Sequence, residues 1–259
     1  MQDCTLVVAL DQEHLEEWKI TWPTWVKFHP IITQMPLLVI CDATQLPEKE
    51  WQKRLEFLGQ EYYYCGFEGQ FDSQREKMVS SFVLKAPFEI DTCWYLKLDT
   101  DAIAISQASW PKTEWFDLDA QGRIPSFISS PWPYSKPADV LDRLDDWGDK
   151  VPGLLEFPRL NVPRDPQSGI VRKPRVISWC YFGHTGWTRQ MARLAGDKLP
   201  VPSQDTYLWY CAERRGDFYR TVKMAHHGWK HLLGKSRLLD ERNRLLLGEQ
   251  GCEQKVSST

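Results

Sequence analysis

The sequence predicts an α/β fold of a single domain, in which helices cover both faces of a mostly parallel sheet. In the first half of the chain, short apolar runs alternate with segments whose apolar residues recur at helical spacing. Such alternation favours parallel strands that are joined by crossover helices. The chain has 259 residues, of which 42% are hydrophobic, so it is long enough to bury one large core.

The elements of the first half are delimited by their composition. Strands are predicted at residues 5–10, 37–41, 62–65 and 94–98, and helices at residues 12–28, 47–58 and 74–85. Pro47 suits the first turn of a helix, and Gly59 ends that helix. Pro23 is expected to kink or split the first helix, because proline removes a helical hydrogen bond and clashes with the preceding turn.

The second half is predicted to complete the same domain. Strands are expected at residues 103–105, 127–130, 176–183 and 218–224. Helices are expected at residues 139–147, after the strand that ends at 183, from 204 and after 234. Residues 151–174 are rich in proline and lack periodicity, which is typical of a functional lid. We divide the domain into a first half, residues 1–106, and a second half, residues 107–248. Residues 249–259 are expected to be a disordered tail.

Two carboxylates end the fourth predicted strand, and the rest of the chain is organised around them. Asp99 and Asp101 follow a buried run, and a second apolar run comes directly afterwards. Side chains of an extended chain alternate between faces, so these two point the same way, about 7 Å apart along the backbone. A pair of hard oxygen donors suits Mn or Mg, especially where phosphate oxygens complete the shell. Asp11 lies at the carboxyl end of the first strand, and ligands of open α/β sheets bind at that edge.

This order of apolar strand, Asp-x-Asp and apolar strand resembles the signature of the GT-A glycosyltransferases, and distantly that of glycogenin-like members. The resemblance covers nearly the whole chain and implies a Rossmann-like, metal-dependent enzyme. Such an enzyme moves a sugar from a nucleotide-diphosphate donor to a hydroxyl group of a glycan or another acceptor. The resemblance implies that Asp101 ligates Mn or Mg directly. Asp99 then contacts the metal through water, or contacts the ribose and sugar hydroxyls.

The resemblance also implies a late histidine as the third metal ligand. Three histidines occur within six residues, at His226, His227 and His231. Strand alternation from Met224 favours His226, with His227 as the alternative. Lys230 is then a candidate for contact with the diphosphate, although the longer glycogenin-like ending of the motif is absent.

The resemblance implies that residues 1–106 are the donor half, which binds the nucleotide sugar, and residues 107–248 the acceptor half, which binds the acceptor and completes the metal site. The remaining candidates in both halves follow from it. Asp11 is expected beside the nucleoside, and Arg75 or Lys77 beside the sugar or phosphate, with solvent exposure as the alternative for both. Asp205 opens a helix, where inverting members carry the base and retaining members have a Gln or Asp, such as Gln204, against the sugar. Acceptor-pocket candidates are Trp179, Tyr181 and His184, with core packing as the alternative for Trp179.

Two other functions fit parts of the pattern. A nucleotidyltransferase uses a similar sheet and metal, but a basic, glycine-rich loop is expected after its first strand, and residues 10–14 are acidic without glycine. A non-catalytic relative that binds a sugar or a partner protein is disfavoured by the intact acidic pair and late histidines. A second Asp-x-Asp, Asp117 to Asp119, precedes Gln-Gly and is interpreted as a surface turn.

Charge and cysteine usage restrict partners and compartment. The net charge is −3 and no basic block occurs, so nucleic-acid binding is not expected. No signal peptide or membrane-spanning run is visible. The seven cysteines are scattered without a Cys-x-x-Cys pair, which predicts reduced, buried thiols and a cytoplasmic protein.

Overall fold

The computed structural model describes residues 3–107, 111–160, 170–222, 229–232 and 234–247, with the side chains of residues 131–139 and 170–179 left aside. Its strands are β1 Cys4–Leu10, β2 Leu37–Asp42, β3 Tyr63–Phe67, β4 Trp94–Leu98, β5 Ala102–Ala104, β6 Phe127–Pro137, β7 Ile170–His184, β8 Arg220–Thr221 and β9 Trp229–His231. Its helices are α1 Gln12–Phe28, α2 Glu48–Arg54, α3 Gln74–Leu84, α4 Ala138–Gly148, α5 Thr185–Ala195, α6 Gln204–Arg215 and α7 Lys235–Leu247.

A seven-stranded mixed sheet forms the centre of the fold, in the order β3-β2-β1-β4-β7-β6-β8. Strands β3, β2, β1 and β4 are parallel, as the alternating sequence predicts, whereas β7 pairs antiparallel with both β4 and β6. The acidic pair therefore follows the central strand of the sheet. The predicted fold class, a single α/β domain with helices on both faces of a mostly parallel sheet, is confirmed.

Both faces of the sheet are buried, which explains the unbroken apolar runs of its strands. In β1, Val7 and Ala9 face the core beneath α3 to α6, while Leu6, Val8 and Leu10 face the core beneath α1 and α2. The acidic pair thus lies at the rim of a sheet whose two faces are both covered by helices.

Helix α1 carries the tryptophans of one core. Trp18, Trp22 and Trp25 are almost completely buried, on one face of the helix. Pro23 lies inside α1 and does not split it, contrary to one of the two expectations above. The burial of the neighbouring tryptophans holds the helix together across the missing hydrogen bond.

Strand β7, which forms a hairpin with β6, begins earlier than the sequence predicts. The irregular stretch was predicted to extend to residue 174, but β7 begins at Ile170 and pairs with β6 along its length. Pairing with a partner strand decides this boundary, and sequence composition alone does not show the partner. Conversely, the strand predicted at 218–224 contains only Arg220–Thr221 within the described part of that segment.

Further expectations concern cysteines and membranes. Within the described residues, Cys4, Cys41, Cys65, Cys180 and Cys211 are buried free thiols, and Cys93 is free but exposed, contrary to the prediction of a buried thiol. Among the described helices, none combines the length and apolar character that crossing a membrane requires.

Candidate functional site

The candidate site begins where the central strand ends. Leu98 closes β4 and is fully buried, and Asp99 and Asp101 follow in a short turn before β5. The backbone N–H of Ala102 donates to the carbonyl of Asp99 over 3.2 Å and closes this turn. The turn holds both carboxylates beyond the carboxyl end of the sheet, which is where α/β proteins bind ligands.

A small two-stranded sheet brings a histidine to the acidic pair. Strand β9 pairs antiparallel with β5, so that His231 lies opposite Ala102, and the Leu232 N–H donates to the Asp101 carbonyl over 3.1 Å. His231 Nε2 lies 2.8 Å from Asp101 Oδ2. One ligand atom from each of Asp99, Asp101 and His231 lies within 4.8 Å of the others, a spacing at which one cation can contact all three.

The histidine in this cluster is the third of the late run. Both predicted ligands, His226 and His227, lie outside the described residues. His231 was part of the same sequence signal, but strand alternation could not select it because the pairing of β9 with β5 is a tertiary contact.

The charges of the cluster act on one another. Burial and the nearby Asp101 charge raise the pKa of Asp99, while Lys97 opposes that rise. Burial lowers the pKa of His231, but its hydrogen bond to Asp101 and the charges of both aspartates outweigh burial and leave the pKa raised. Without a cation, His231 and Asp101 therefore favour an ion pair, and a cation that binds there takes the place of the histidine's proton.

A buried lysine lies directly beneath the cluster, and sequence reasoning did not single it out. Lys97 is fully buried in β4, and its ammonium donates to Asp99. The same ammonium lies 4.9 Å from the centre of the Phe82 ring. The signal was available, since a lysine inside an apolar strand is unusual and needs a partner.

Helix α1 contributes further groups to the site. The Glu17 carboxylate accepts from the hydroxyl of Thr100, the residue between the two aspartates, over 2.9 Å. Burial raises the pKa of Glu17. Asp11, expected beside the nucleoside, is buried and caps α1: its Oδ1 accepts from the His14 N–H over 2.8 Å and lies 2.7 Å from the His14 ring. Burial alone would raise the pKa of Asp11. The hydrogen bonds and the charge of His14 outweigh burial, so the pKa is lowered overall.

The predicted donor-binding cations occupy different environments. Lys77 is buried, and its ammonium lies 2.5 Å from Asp42 Oδ1 at the carboxyl end of β2. Gln74 donates to the other Asp42 oxygen over 2.6 Å. Lys77 therefore organises the rim of the sheet through Asp42, whereas Arg75 is exposed to solvent. Lys230 is also exposed and pairs with Glu241 of α7 over 3.2 Å.

The start of α6 carries two buried polar side chains. Gln204 and Asp205 are both 1% exposed, and the Ser203 hydroxyl donates to Asp205 instead of capping a backbone N–H. Burial raises the pKa of Tyr181, and the neighbouring Tyr95 and the charges of Asp205 and Asp99 raise it further. The side-chain amide of Gln204 has no hydrogen-bond partner among the described residues.

The acceptor-pocket candidates are not brought together. Tyr181 is fully buried, and its hydroxyl lies 3.3 Å from that of Tyr95. His184 pairs with Trp94 at the amino end of β4, the opposite edge of the sheet from Asp99. Its Nδ1 caps α5 by accepting from the backbone of that helix over 3.2 Å. His184 is therefore wrong as an acceptor residue, because β7 runs antiparallel to β4; the side chain of Trp179 lies outside the described set.

The second Asp-x-Asp is a surface turn, as predicted. Asp119 accepts from the backbone N–H of Gln121 and Arg123 over 2.9 and 2.8 Å. Asp117 is exposed.

Among the basic residues of the proline-rich stretch, Arg159 pairs with Asp146 and Asp149 of the α4 region. The others lie outside the described residues or have undescribed side chains: Arg164, Arg172, Lys173 and Arg175.

Comparison with known proteins adds to this geometry. No family model matches the chain, and no curated protein matches it. Solved structures do: core-mannan synthase A from Aspergillus fumigatus, in a form with Mn and GDP, has a TM-score of 0.56 at 10% identity, covering 90% of this chain and 75% of that one. The mannosyltransferase Ktr4p from S. cerevisiae has a TM-score of 0.57 at 7% identity, covering 89% of this chain and 70% of that one. The protein has the GT-A fold.

Within the GT-A fold, the acidic loop and its histidine lie at the carboxyl end of β4. The strand order reverses between β1 and β4. Strands β1 and β4 end here in parallel, and β7 begins the antiparallel part on the other side of β4. Open α/β sheets bind ligands beyond the carboxyl ends of their strands, at the point where the strand order reverses.

Proposed function

We propose that this protein is a metal-dependent glycosyltransferase that moves a sugar from a nucleotide-diphosphate donor to a hydroxyl group of a glycan or another acceptor. The observation that supports this most is the meeting of Asp99, Asp101 and His231 beyond the central strand of a GT-A fold. Core-mannan synthase A, which shares that fold, has been solved with Mn and GDP, and Ktr4p has been solved with GDP.

The donor atoms of the cluster fit a divalent cation. Two carboxylates and one imidazole suit Mn or Mg, with phosphate oxygens and water available for the remaining positions. We assign Asp101 and His231 as direct ligands, and Asp99 as a ligand that binds directly or through water. When bound, such an ion acts as a Lewis acid that neutralises the charge on the departing diphosphate.

In this proposal, the residues at the start of α6 contact the transferred sugar and the acceptor hydroxyl. Gln204 presents a buried amide whose hydrogen-bonding capacity is unused within the described structure, which suits contact with sugar hydroxyls. Asp205 lies beside it at the positive end of the helix dipole and is the candidate to accept the proton of the acceptor hydroxyl.

The donor and acceptor halves, residues 1–106 and 107–248, then meet at the acidic loop. The contact of Asp11 with His14 and that of Lys77 with Asp42 stabilise the strand ends of the donor half. The exposed Arg75 and Lys230 are the candidates to contact phosphate. The buried free thiols support the cytoplasmic compartment that the sequence predicts.

Nucleotide-sugar hydrolysis by matched aspartate variants tests the proposed function. We expect the full chain to release nucleoside diphosphate from one member of a panel of UDP-, GDP- and CDP-sugars, only with Mn or Mg present. Asp101→Asn should lower this rate by at least about 100-fold, because even an outer-shell partner of a metal is worth about 10–100-fold. Asp117→Asn, the same change in the exposed second Asp-x-Asp, should leave the rate unchanged.

Failure of the proposal has a clear signature. If no nucleotide sugar of the panel is hydrolysed, and none raises the melting temperature with Mn present, the protein is not this kind of enzyme.

A further inference from the structure

Lys97 is the feature of the site that a metal-binding role does not explain. It occupies a strand position between Leu96 and Leu98, and it is 0% exposed. Strand alternation places its side chain on the same face as Asp99, so the ammonium extends along β4 towards the acidic loop. Its stem packs in the core and its ammonium lies over the Phe82 ring.

A buried ammonium at this point carries a large desolvation penalty. An unpaired charge inside a protein is strongly unfavourable, and an ion pair offsets the cost only with good geometry. The hydrogen bond from Lys97 to Asp99 supplies that geometry here. The lysine therefore holds the Asp99 carboxylate in place when no metal is present.

The same charge opposes a cation. A divalent ion held by Asp99 is brought beside a fixed positive charge, in surroundings where charges are screened far less than in water. Asp101 and Glu17 supply negative charge, but Lys97 cancels part of it. A donor diphosphate adds further negative charge and restores the balance.

We propose, building on the function proposed above, that Lys97 is a positioning residue that makes metal binding depend on the donor. Its ammonium acts as an internal counter-ion for Asp99. It holds the carboxylate ready for the metal and weakens the binding of a metal ion that arrives without a diphosphate. Metal and nucleotide sugar are then taken up together, and the empty site stays ordered.

A purely structural role makes the opposite prediction for metal affinity. If Lys97 only shapes Asp99, a neutral replacement disorders that carboxylate and weakens metal binding. If Lys97 is a counter-ion, the neutral replacement strengthens it. The sign of the change therefore separates the two roles.

Manganese binding without nucleotide, followed by electron paramagnetic resonance on the full chain, measures that sign. We expect Lys97→Met to bind Mn at least about tenfold more tightly than the wild type, a change of about 1.4 kcal/mol. Its melting temperature without metal should fall, because Asp99 loses its partner, and Mn should raise it by more than it raises that of the wild type. Lys97→Gln, which keeps a hydrogen-bond donor without the charge, should also bind Mn more tightly, and Lys97→Arg should bind it as the wild type does.

Lys77→Met is the matched control. Lys77 is also a buried lysine paired with an aspartate, but it lies at the end of β2 and contacts Asp42. This change should lower the melting temperature and leave the Mn affinity measured without nucleotide unchanged, whatever its effect on donor binding.

The wild type supplies a measurement that needs no variant. Its affinity for Mn should rise at least about tenfold when GDP or UDP is present, measured by thermal shift. The inference is overturned if nucleotide leaves Mn affinity unchanged, or if folded Lys97→Met or Lys97→Gln binds Mn no more tightly than the wild type. The proposed function survives that result as long as Asp101→Asn abolishes Mn binding. If the wild type binds no Mn with or without nucleotide, both proposals fail.

Discussion

His231 reaches Asp101 because one short strand pairs with another. The side chain alone has no preference for this carboxylate; the β5–β9 register places Ala102 opposite His231 and so brings the ring within 2.8 Å of Asp101. Trp229 of the same strand is buried against Trp25 of α1, with ring centres 5.5 Å apart, and fixes β9 in that register.

Substitution of each late histidine tests which one binds the metal. We expect His231→Ala to weaken Mn binding by at least about tenfold, since loss of a direct ligand should exceed the lower end of outer-shell effects. His226→Ala and His227→Ala should change Mn affinity little. If either of those variants loses Mn binding while His231→Ala keeps it, the ligand belongs to the residues favoured by sequence alternation.

Replacement of Gln204 should change the stability of the protein and its transfer rate in opposite directions. A buried amide without partners costs about 1–3 kcal/mol, so Gln204→Leu should raise the free energy of unfolding by about 1 kcal/mol. Because the amide is proposed to contact the sugar, the same change should lower the transfer rate at least about tenfold. Urea unfolding and donor hydrolysis measure the two effects.

Gln190→Leu is the control for that prediction, since Gln190 is an exposed residue of helix α5. It should affect neither unfolding nor hydrolysis. A Gln204→Leu variant that is less stable than the wild type would show that the amide is satisfied within the folded protein.

At the scale of elements, helix α1 holds the acidic loop and β5 by hydrogen bonds along one face. The Thr21 hydroxyl donates to the Thr100 carbonyl over 2.7 Å, and the Trp25 indole donates to the Ala102 carbonyl over 2.8 Å. Residues four apart on a helix lie on the same face, so both donors point at the loop. The helix therefore fixes the backbone that carries Asp99 and Asp101.

Removal of one of these bonds should loosen the metal site. Thr21→Val keeps the side-chain shape but leaves the buried Thr100 carbonyl without this donor, which should lower the free energy of unfolding by about 1–3 kcal/mol. Mn affinity should fall as well, and Thr21→Ser should restore both. Urea unfolding and Mn titration provide the two readings.

The hydroxyl of Thr33 makes the same kind of bond to a carbonyl, that of Pro30, in a more exposed position over 2.7 Å. Thr33→Val should therefore change both quantities little. Unchanged Mn affinity in Thr21→Val would mean that the loop keeps its shape without α1.

At the scale of the whole molecule, the sheet separates two cores, and the two faces of the sheet carry different groups of the candidate site. The face under α1 and α2 contains most of the buried tryptophans and carries the helix that holds the acidic loop. The opposite face, under α3 to α6, carries Lys97 and the start of α6 with Gln204 and Asp205. The candidate site lies where the two faces meet at the strand ends.

The basic residue Arg214 links helices α4 and α6 within the second core. It is 4% exposed, and its guanidinium lies 2.7 Å from Asp149 and donates to the carbonyl of Phe157 over 3.2 Å. The Tyr210 hydroxyl bonds the buried Asp145 of α4 over 2.9 Å. These contacts attach α4 and the segment after it to α6, the helix that begins with Gln204 and Asp205.

The sequence by itself determined the order of strands and helices in the first half, the fold class and the position of the acidic pair. These features depend on local periodicity and on apolar runs, which are readable from neighbouring residues. Only the tertiary structure decided that His231 joins the pair, that Lys97 lies beneath Asp99, that Lys77 is committed to Asp42 and that His184 faces the opposite edge. Each of these contacts depends on strand register and direction between segments far apart in the chain, and no local pattern specifies which strands become neighbours.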